Sequence, residues 1–277
     1  MKTWFITGIS RGLGQALAQA ALERGDTVVG AVRNGTSALE AGPGTLHVLT
    51  LDMADGAAVA RVTEEAFGLA GGRLDVIVNN AGYGLLGAVE DATDAEVDHL
   101  FAVDVFGPFR LIRTALPRLR AQGSGHILNI TSIAGRAPGA GSGLYAAAKH
   151  ALEGLSASLA QELTPFGVKV TAVAPGAFRT DFLSAHSVRR SEAEASGYED
   201  SVGKMGQAFD AMAGRQLGDP ARAAQALLQL VDAAEPPTQL LLGSDALNRT
   251  RQKLDRVADE IAQWEAVTRS TDFPAEI

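Results

Sequence analysis

Three side chains in the middle of the chain, Ser132, Tyr145 and Lys149, have the types and spacing for proton transfer to or from an oxygen. Tyr145 and Lys149 are four residues apart, so on a helix they share a face and the ammonium stands near the phenol. A free tyrosine, with a pKa of about 10, is a poor base at neutral pH. A neighbouring cation favours the phenolate and lowers that value. Each unit is worth about 1.4 kcal/mol, so a shift of two or three units lies within reach of close charges. Ser132, at a strand end, can donate a hydrogen bond to a substrate oxygen while Tyr145 gives or takes the proton. A Tyr-x-x-x-Lys pair alone is common on helix surfaces. The serine, and a glycine turn near the start of the chain, set this pair apart.

That turn reads Thr7-Gly8-Ile9-Ser10-Arg11-Gly12-Leu13-Gly14 and falls between a strand at 4–7 and a helix running to residue 22. Gly8 suits a tight turn, Gly12 lets backbone approach a phosphate, and Gly14 permits close helix–sheet packing. The helix start then offers open N–H groups to a pyrophosphate. The spacing is GxxxGxG rather than the commoner GxGxxG, but its position after the first strand points to a dinucleotide. NAD sites usually carry an acidic residue at the end of the second strand. Here that place reads Ala31-Val32-Arg33-Asn34. Arg33 suits a 2′-phosphate, with Arg11 as a second contact, the alternative being that both are solvated arginines. The expected cofactor is therefore NADP(H). Asp52 is either an adenine contact or the cap of the next helix. Met53 beside it, with Ser10 and Leu13 of the turn, is counted among the cofactor contacts.

Positioning these groups requires short β-branched runs alternating with amphipathic helices, the pattern of βα units feeding a parallel sheet. Strands are predicted at 4–7, 27–32, 46–51, 74–78, 126–131, 168–173 and 239–242. Helices are predicted from the glycine turn to 22, near 59–67, over 94–119, around 145–163, over 220–231 and from 245 to about 267. Gly25 is a stop signal, and Asp219-Pro220 supplies an N-cap and a first-turn proline. The chain reads as one domain, residues 1–277, with no repeat or linker. An irregular stretch at 177–218 is an insertion of a length that is usually functional, and it suits a substrate lid. In the closing helix Leu247, Leu254, Val257, Ile261 and Trp264 form one stripe. Core packing is the simpler reading of that stripe, a subunit contact the other.

With 46% hydrophobic and 20% charged residues over 277, the chain can bury a large core. No cysteine is present, which excludes disulfides and thiolate metal sites, and no metal site is expected. This fits a reducing, cytoplasmic location. The opening apolar stretch is too short for a signal peptide, and no later run reaches the roughly 20 residues of a membrane span. A net charge of −8 argues against nucleic-acid binding. Arg189-Arg190, followed by Glu192 and Glu194, reads as a solvated face.

These residues together resemble the single-domain branch of the short-chain dehydrogenase/reductase family. The carrying motifs are the glycine turn, Leu51-Asp52, Asn79-Asn80-Ala81-Gly82, Ser132, Tyr145 to Lys149 and Pro175-Gly176, in family order over about residues 1–245. The resemblance implies a doubly wound, Rossmann-type α/β fold whose parallel sheet has seven strands in the order 3-2-1-4-5-6-7. It implies a homodimer or homotetramer. It also implies roles: Ser132 orients substrate, Tyr145 is the acid/base, and Lys149 holds the nicotinamide ribose and tunes Tyr145. Asn79 and the segment Asn80, Ala81 and Gly82 would support the sheet and the adenosine side. Pro175, Gly176 and Thr180 would flank the nicotinamide. One departure is Asp104, in Asp104-Val105-Phe106-Gly107, where the family has a proton-relay asparagine. An ionised carboxylate accepts but does not donate, so Asp104 either holds a relay water, restrains the lysine's charge, or faces another partner.

The stretch 80–90 and the long C-terminal region resemble the steroid- and retinol-dehydrogenase-like branch. That implies a bulky, lipophilic ketone or secondary alcohol, with Tyr83, Leu85, Leu144, Phe178, Phe182 and Met205 as candidate pocket walls. Two other classes compete: a nucleotide-sensing protein without turnover, and a dehydratase or epimerase of nucleotide sugars. The intact Ser132–Tyr145–Lys149 set argues against the first, and the lack of a large C-terminal substrate domain against the second.

Overall fold

The computed structural model describes residues 1–34, 37–180, 182, 187–191 and 197–273. Seven strands form one parallel sheet: β1 (Thr3–Thr7), β2 (Thr27–Val32), β3 (Thr45–Thr50), β4 (Val76–Asn79), β6 (Gly125–Ile130), β7 (Val168–Pro175) and β9 (Gln239–Leu242). Two short strands, β5 (Gly84–Leu86) and β8 (Val188–Arg190), pair in parallel outside it. The main order is β3-β2-β1-β4-β6-β7-β9. Numbering only its own strands, this is the expected 3-2-1-4-5-6-7.

Between them run α1 (Gly12–Glu23), α2 (Gly56–Leu69), α3 (Asp94–Phe101), α4 (Gly107–Gln122), α5 (Gly143–Leu163), α6 (Lys204–Met212), α7 (Pro220–Asp232) and α8 (Ser244–Arg269). Buried side chains of α1 and α7 pack on one face of the sheet, and those of α2, α4 and α5 on the other. The alternation along β1 shows why: Trp4 and Ile6 join the first layer and Phe5 the second, as a period of two requires. Strands buried on both faces read as continuous apolar runs, which is what 4–6 and 76–78 are.

Helix starts follow their chemistry. Asp219 accepts from Ala221 N at 2.8 Å, and Thr93 and Glu96 form a reciprocal capping box. Asp55, not Asp52, caps α2, accepting from Ala57 N and Ala58 N at 3.0 Å. The capping alternative for Asp52 is thereby removed.

Three expectations need correction. The helix predicted over 94–119 is not continuous: a π turn at Ala102–Phe106 separates α3 from α4. The stretch 177–218 is not wholly irregular, since it contains β8 and α6. Asp181, residues 183–186 and Glu192 to Ser196 lie outside the described residues, so the solvated-face reading involving Glu192 and Glu194 lies partly outside them too. Thirdly, the closing stripe is not in the core. Ala246 is the buried residue of α8, while Leu254, Ile261 and Trp264 are 61%, 64% and 63% exposed. Spacing fixes which residues share a face, but not what covers that face. No helix among the described residues is long and apolar enough to cross a membrane.

Candidate active site

Ser132 follows β6 in extended backbone, and its Oγ accepts from Ala134 N at 3.1 Å. That bond holds the hydroxyl at the start of a short 3-10 turn, Ile133–Gly135. The turn lies against α5, where a Cβ on Gly135 would come within 3.0 Å of Lys149 Cβ and backbone. Glycine there lets the serine turn approach the helix that carries Tyr145 and Lys149. Lys149 Nζ lies 5.6 Å from the Tyr145 ring centroid and donates to Ile130 O at 3.3 Å. Ser132, Tyr145 and Lys149 all line one cavity of about 800 Å³.

Asp104 stands behind the lysine. It is fully buried and does not line the cavity. Its Oδ2 pairs with Lys149 Nζ at 3.0 Å and its Oδ1 accepts from Tyr83 N at 3.1 Å. The π turn carries it there. An extra residue in one turn shifts the side-chain register, and such turns recur at functional sites. Of the three readings left open for Asp104, restraint of the lysine's charge is the one its contact with Lys149 fits, and the side chain stands away from the cavity.

The expected lowering of Tyr145 draws on a bound nicotinamide ring as well as on Lys149; the protein's own groups alone act the other way. Burial pushes its phenol above the ordinary value; Lys149 pulls it down, Asp104 pushes it up again, and the Ser132 hydroxyl opposes. The net direction is upward, burial being the largest influence, with Asp104, 3.0 Å from Lys149 Nζ, countering part of the lysine's pull. Burial disfavours the Lys149 ammonium, but Asp104, Tyr145 and Glu153 together outweigh it and hold the amine above its ordinary value. Burial drives the Asp104 carboxyl upward against the pull of Lys149.

The glycine turn opens onto the same cavity. Gly8 and Gly12 have φ of +76° and +64°, a region costly for side chains bearing a Cβ. A Cβ on Gly14 would collide with Asn80 Nδ2 and Gly8 O, so this glycine serves packing and lies off the cavity. Asn80 locks the turn, its Nδ2 donating to Thr7 O at 2.9 Å and Gly8 O at 3.0 Å. Asn79 works on the other side, donating to Asn129 Oδ1 at 2.8 Å, which ties β4 to β6. No side chain caps α1, whose first turn holds no acid. The open N–H groups, positive-φ glycines and missing Cβ atoms form a cradle that fits a pyrophosphate.

Ser10, Arg11, Leu13, Arg33, Asp52 and Met53 line the groove. So do Asn80, Ala81, Gly82, Pro175, Gly176 and Thr180. Arg33 is exposed at the end of β2, and Arg11 Nε donates to Ser187 Oγ at 3.1 Å.

At the far end Tyr83, Phe178, Phe182 and Met205 line the cavity, as expected. Leu85 and Leu144 do not. Along β5 it is Gly84 and Leu86 that face the cavity, and alternation turns Leu85 into the cluster around Tyr145. Leu144 packs on that same cluster. Sequence reasoning missed His99, Ser187, Gln216, Asp245 and Arg249, all of which line the cavity. Tyr83 Oη lies 2.9 Å from His99 Nδ1, and burial pushes the phenol up to about 12. Asp245 Oδ2 accepts from Ala177 N at 2.8 Å, and the buried Gln216 Oε1 has no partner. These residues come from distant loops and helix ends and leave no local pattern.

The short chain dehydrogenase family model matches residues 2–191. Oxidoreductase BOA17 of Botryotinia fuckeliana is 33% identical over 270 residues, 95% of this chain and 96% of that protein. Retinol dehydrogenase 8 of Bos taurus is 32% identical over 251 residues, 85% and 80%. A crystal structure of a short-chain dehydrogenase from Streptomyces avermitilis superimposes with a TM-score of 0.90 at 42% identity, covering 98% of this chain and 100% of the other. A metagenomic short-chain oxidoreductase solved with NADP gives 0.68 at 30% identity, covering 87% and 96%. A parallel sheet with a glycine cradle at the end of its first strand is the scaffold of dinucleotide-dependent oxidoreductases. The chain belongs to the short-chain dehydrogenase family.

Proposed function

We propose that this protein is an NADP(H)-dependent oxidoreductase that interconverts a carbonyl and a secondary alcohol on a small, lipophilic substrate. One observation carries the reading: Ser132, Tyr145 and Lys149 converge on the wall of a cavity whose other end is the glycine cradle. The nicotinamide supplies or takes the hydride. In the reducing direction the Tyr145 phenol gives its proton to the carbonyl oxygen while the Ser132 hydroxyl donates a hydrogen bond to that oxygen. Lys149 holds the nicotinamide ribose and steadies the phenolate that forms. Before any nucleotide binds, burial keeps Tyr145 protonated at neutral pH, the state a proton donor needs.

NADP(H) is favoured over NAD(H) by Arg33 and Arg11 at the groove and by the lack of a carboxylate at the end of β2. The NADP complex of the metagenomic relative supports a nicotinamide dinucleotide in this groove. Tyr83, Phe178, Phe182 and Met205 favour an apolar substrate, in keeping with the likeness to retinol dehydrogenase 8. The stretch 177–218 contributes Phe182, Val188 and Met205 to the cavity, which supports a lid role. The test is NADPH consumption at 340 nm with aromatic and alicyclic ketones. Tyr145→Phe is expected to lower turnover by roughly 10²–10⁴-fold with folding and NADPH binding retained. Near wild-type turnover in that variant, or NADPH bound but never consumed by the wild type, overturns the proposal.

A further inference from the structure

The cavity, the Lys149–Asp104 pair and the polar groups of the cavity wall all belong to the site already described. The largest feature outside it is α8. Among the described residues its base engages the body, through Asp245, which accepts from Ala177 N, through Ala246, packed with Ile133, Ala137 and Leu241, and through Arg249, which donates to Ala137 O. Every residue from Leu254 to Arg269 except Val257 is exposed. At 1.5 Å per residue the helix is about 39 Å long, and more than half of it projects from the body.

Its apolar residues follow a spacing of three and four: Leu247, Leu254, Val257, Ile261 and Trp264, with Thr250 and Thr268 filling the remaining places. This is the seam of a two-helix coiled coil. We propose that the occupant of this seam is the same helix of a second copy of the chain, laid antiparallel. In that register Leu254 packs on the partner's Trp264 and Val257 on the partner's Ile261, and the two-fold axis repeats both layers. Along one flank Ala258 meets the partner's Ala258, which lets the helices approach. There Arg251 reaches the partner's Glu265, twice per dimer. Glu265 already pairs with Arg269 within its own helix, an exposed contact that exchanges at little cost. In a parallel pair Glu260 would instead face the partner's Glu265, a repulsion on both sides. The antiparallel arrangement keeps one like-charge contact, Glu260 against the partner's Glu260.

A membrane surface fits the helix less well. Residues 244–269 carry five cationic and five acidic side chains, whereas interfacial helices have an excess of Lys and Arg on the polar face.

Sedimentation velocity on the full chain at micromolar concentration tests the proposal. The wild-type assembly mass is expected to halve in Ile261→Asp, with unchanged far-ultraviolet circular dichroism. Arg251→Glu is expected to weaken association at least tenfold, and Arg251→Glu with Glu265→Arg to restore it, a rescue particular to the antiparallel register. Glu260→Gln is expected to tighten it. A monomeric wild type, an Ile261→Asp variant of unchanged mass, or α8-dependent binding to anionic phospholipid vesicles with no self-association would overturn the assignment.

Discussion

Replacing Asp104 by asparagine removes one negative charge from behind Lys149 and little volume. In the wild type Lys149 Nζ lies 5.6 Å from the Tyr145 ring and 3.0 Å from Asp104 Oδ2. A unit charge 5.6 Å from the ring centroid contributes about 3 kcal/mol at an effective dielectric of about 20. With Asp104 present part of this attraction is offset, and Tyr145 sits above its ordinary value. In Asp104→Asn it is no longer offset, so the phenol falls. Lys149 also loses what counters its burial, so its own proton is held less firmly. Asparagine still accepts from Tyr83 N, but the lysine is left to the Ile130 carbonyl. Some loss of stability therefore accompanies the change. The assay is the pH dependence of kcat/KM for alcohol oxidation, where Tyr145 acts as the base. Activity is expected to be retained, with the rising limb displaced to lower pH. A rising limb superimposable on that of the wild type, in a variant with a cooperative melting transition, would refute the claim that Asp104 governs the proton affinity of Tyr145.

Two further outcomes follow from other parts of the molecule. Arg33→Ala is expected to raise the KM for NADPH roughly ten- to a hundredfold through loss of a charge-assisted fork, leaving NADH little changed; equal KM values for NADPH in wild type and variant would remove Arg33 from the phosphate site. His126 is buried in β6, bonded through Nε2 to Thr171 Oγ1, and burial lowers its pKa to about 4. Since an unfolded histidine titrates near 6.5, the unfolded state binds the extra proton between pH 6.5 and 4, and stability falls as pH drops through that window. About 2 kcal/mol is lost by pH 5, measurable as the urea midpoint of wild type against His126→Gln, in which this component should vanish.

How much of this was legible beforehand differs from residue to residue. Gly8, Gly12 and Gly14 announced a cradle because each type is demanded by backbone conformation or close approach, and both are local requirements. Tyr145 and Lys149 announced their shared face because helical spacing alone sets it. His99, Gln216, Asp245 and Arg249 gave no such notice. They line the cavity from α3, the end of the 177–218 stretch and the base of α8, and nothing local in the chain ties them to one another.

The sequence by itself determined the order of strands and helices, the glycine cradle and the spacing of Tyr145 and Lys149, since these rest on periodicity and on conformational demands felt within a few residues. The tertiary structure alone decided three things: the π turn that swings Asp104 under Lys149, the burial that raises Tyr145, and the exposure of the closing helix. The physical reason is that desolvation and charge pairing depend on which segments meet across the fold. Those meetings are fixed when the sheet closes and the helices pack on it.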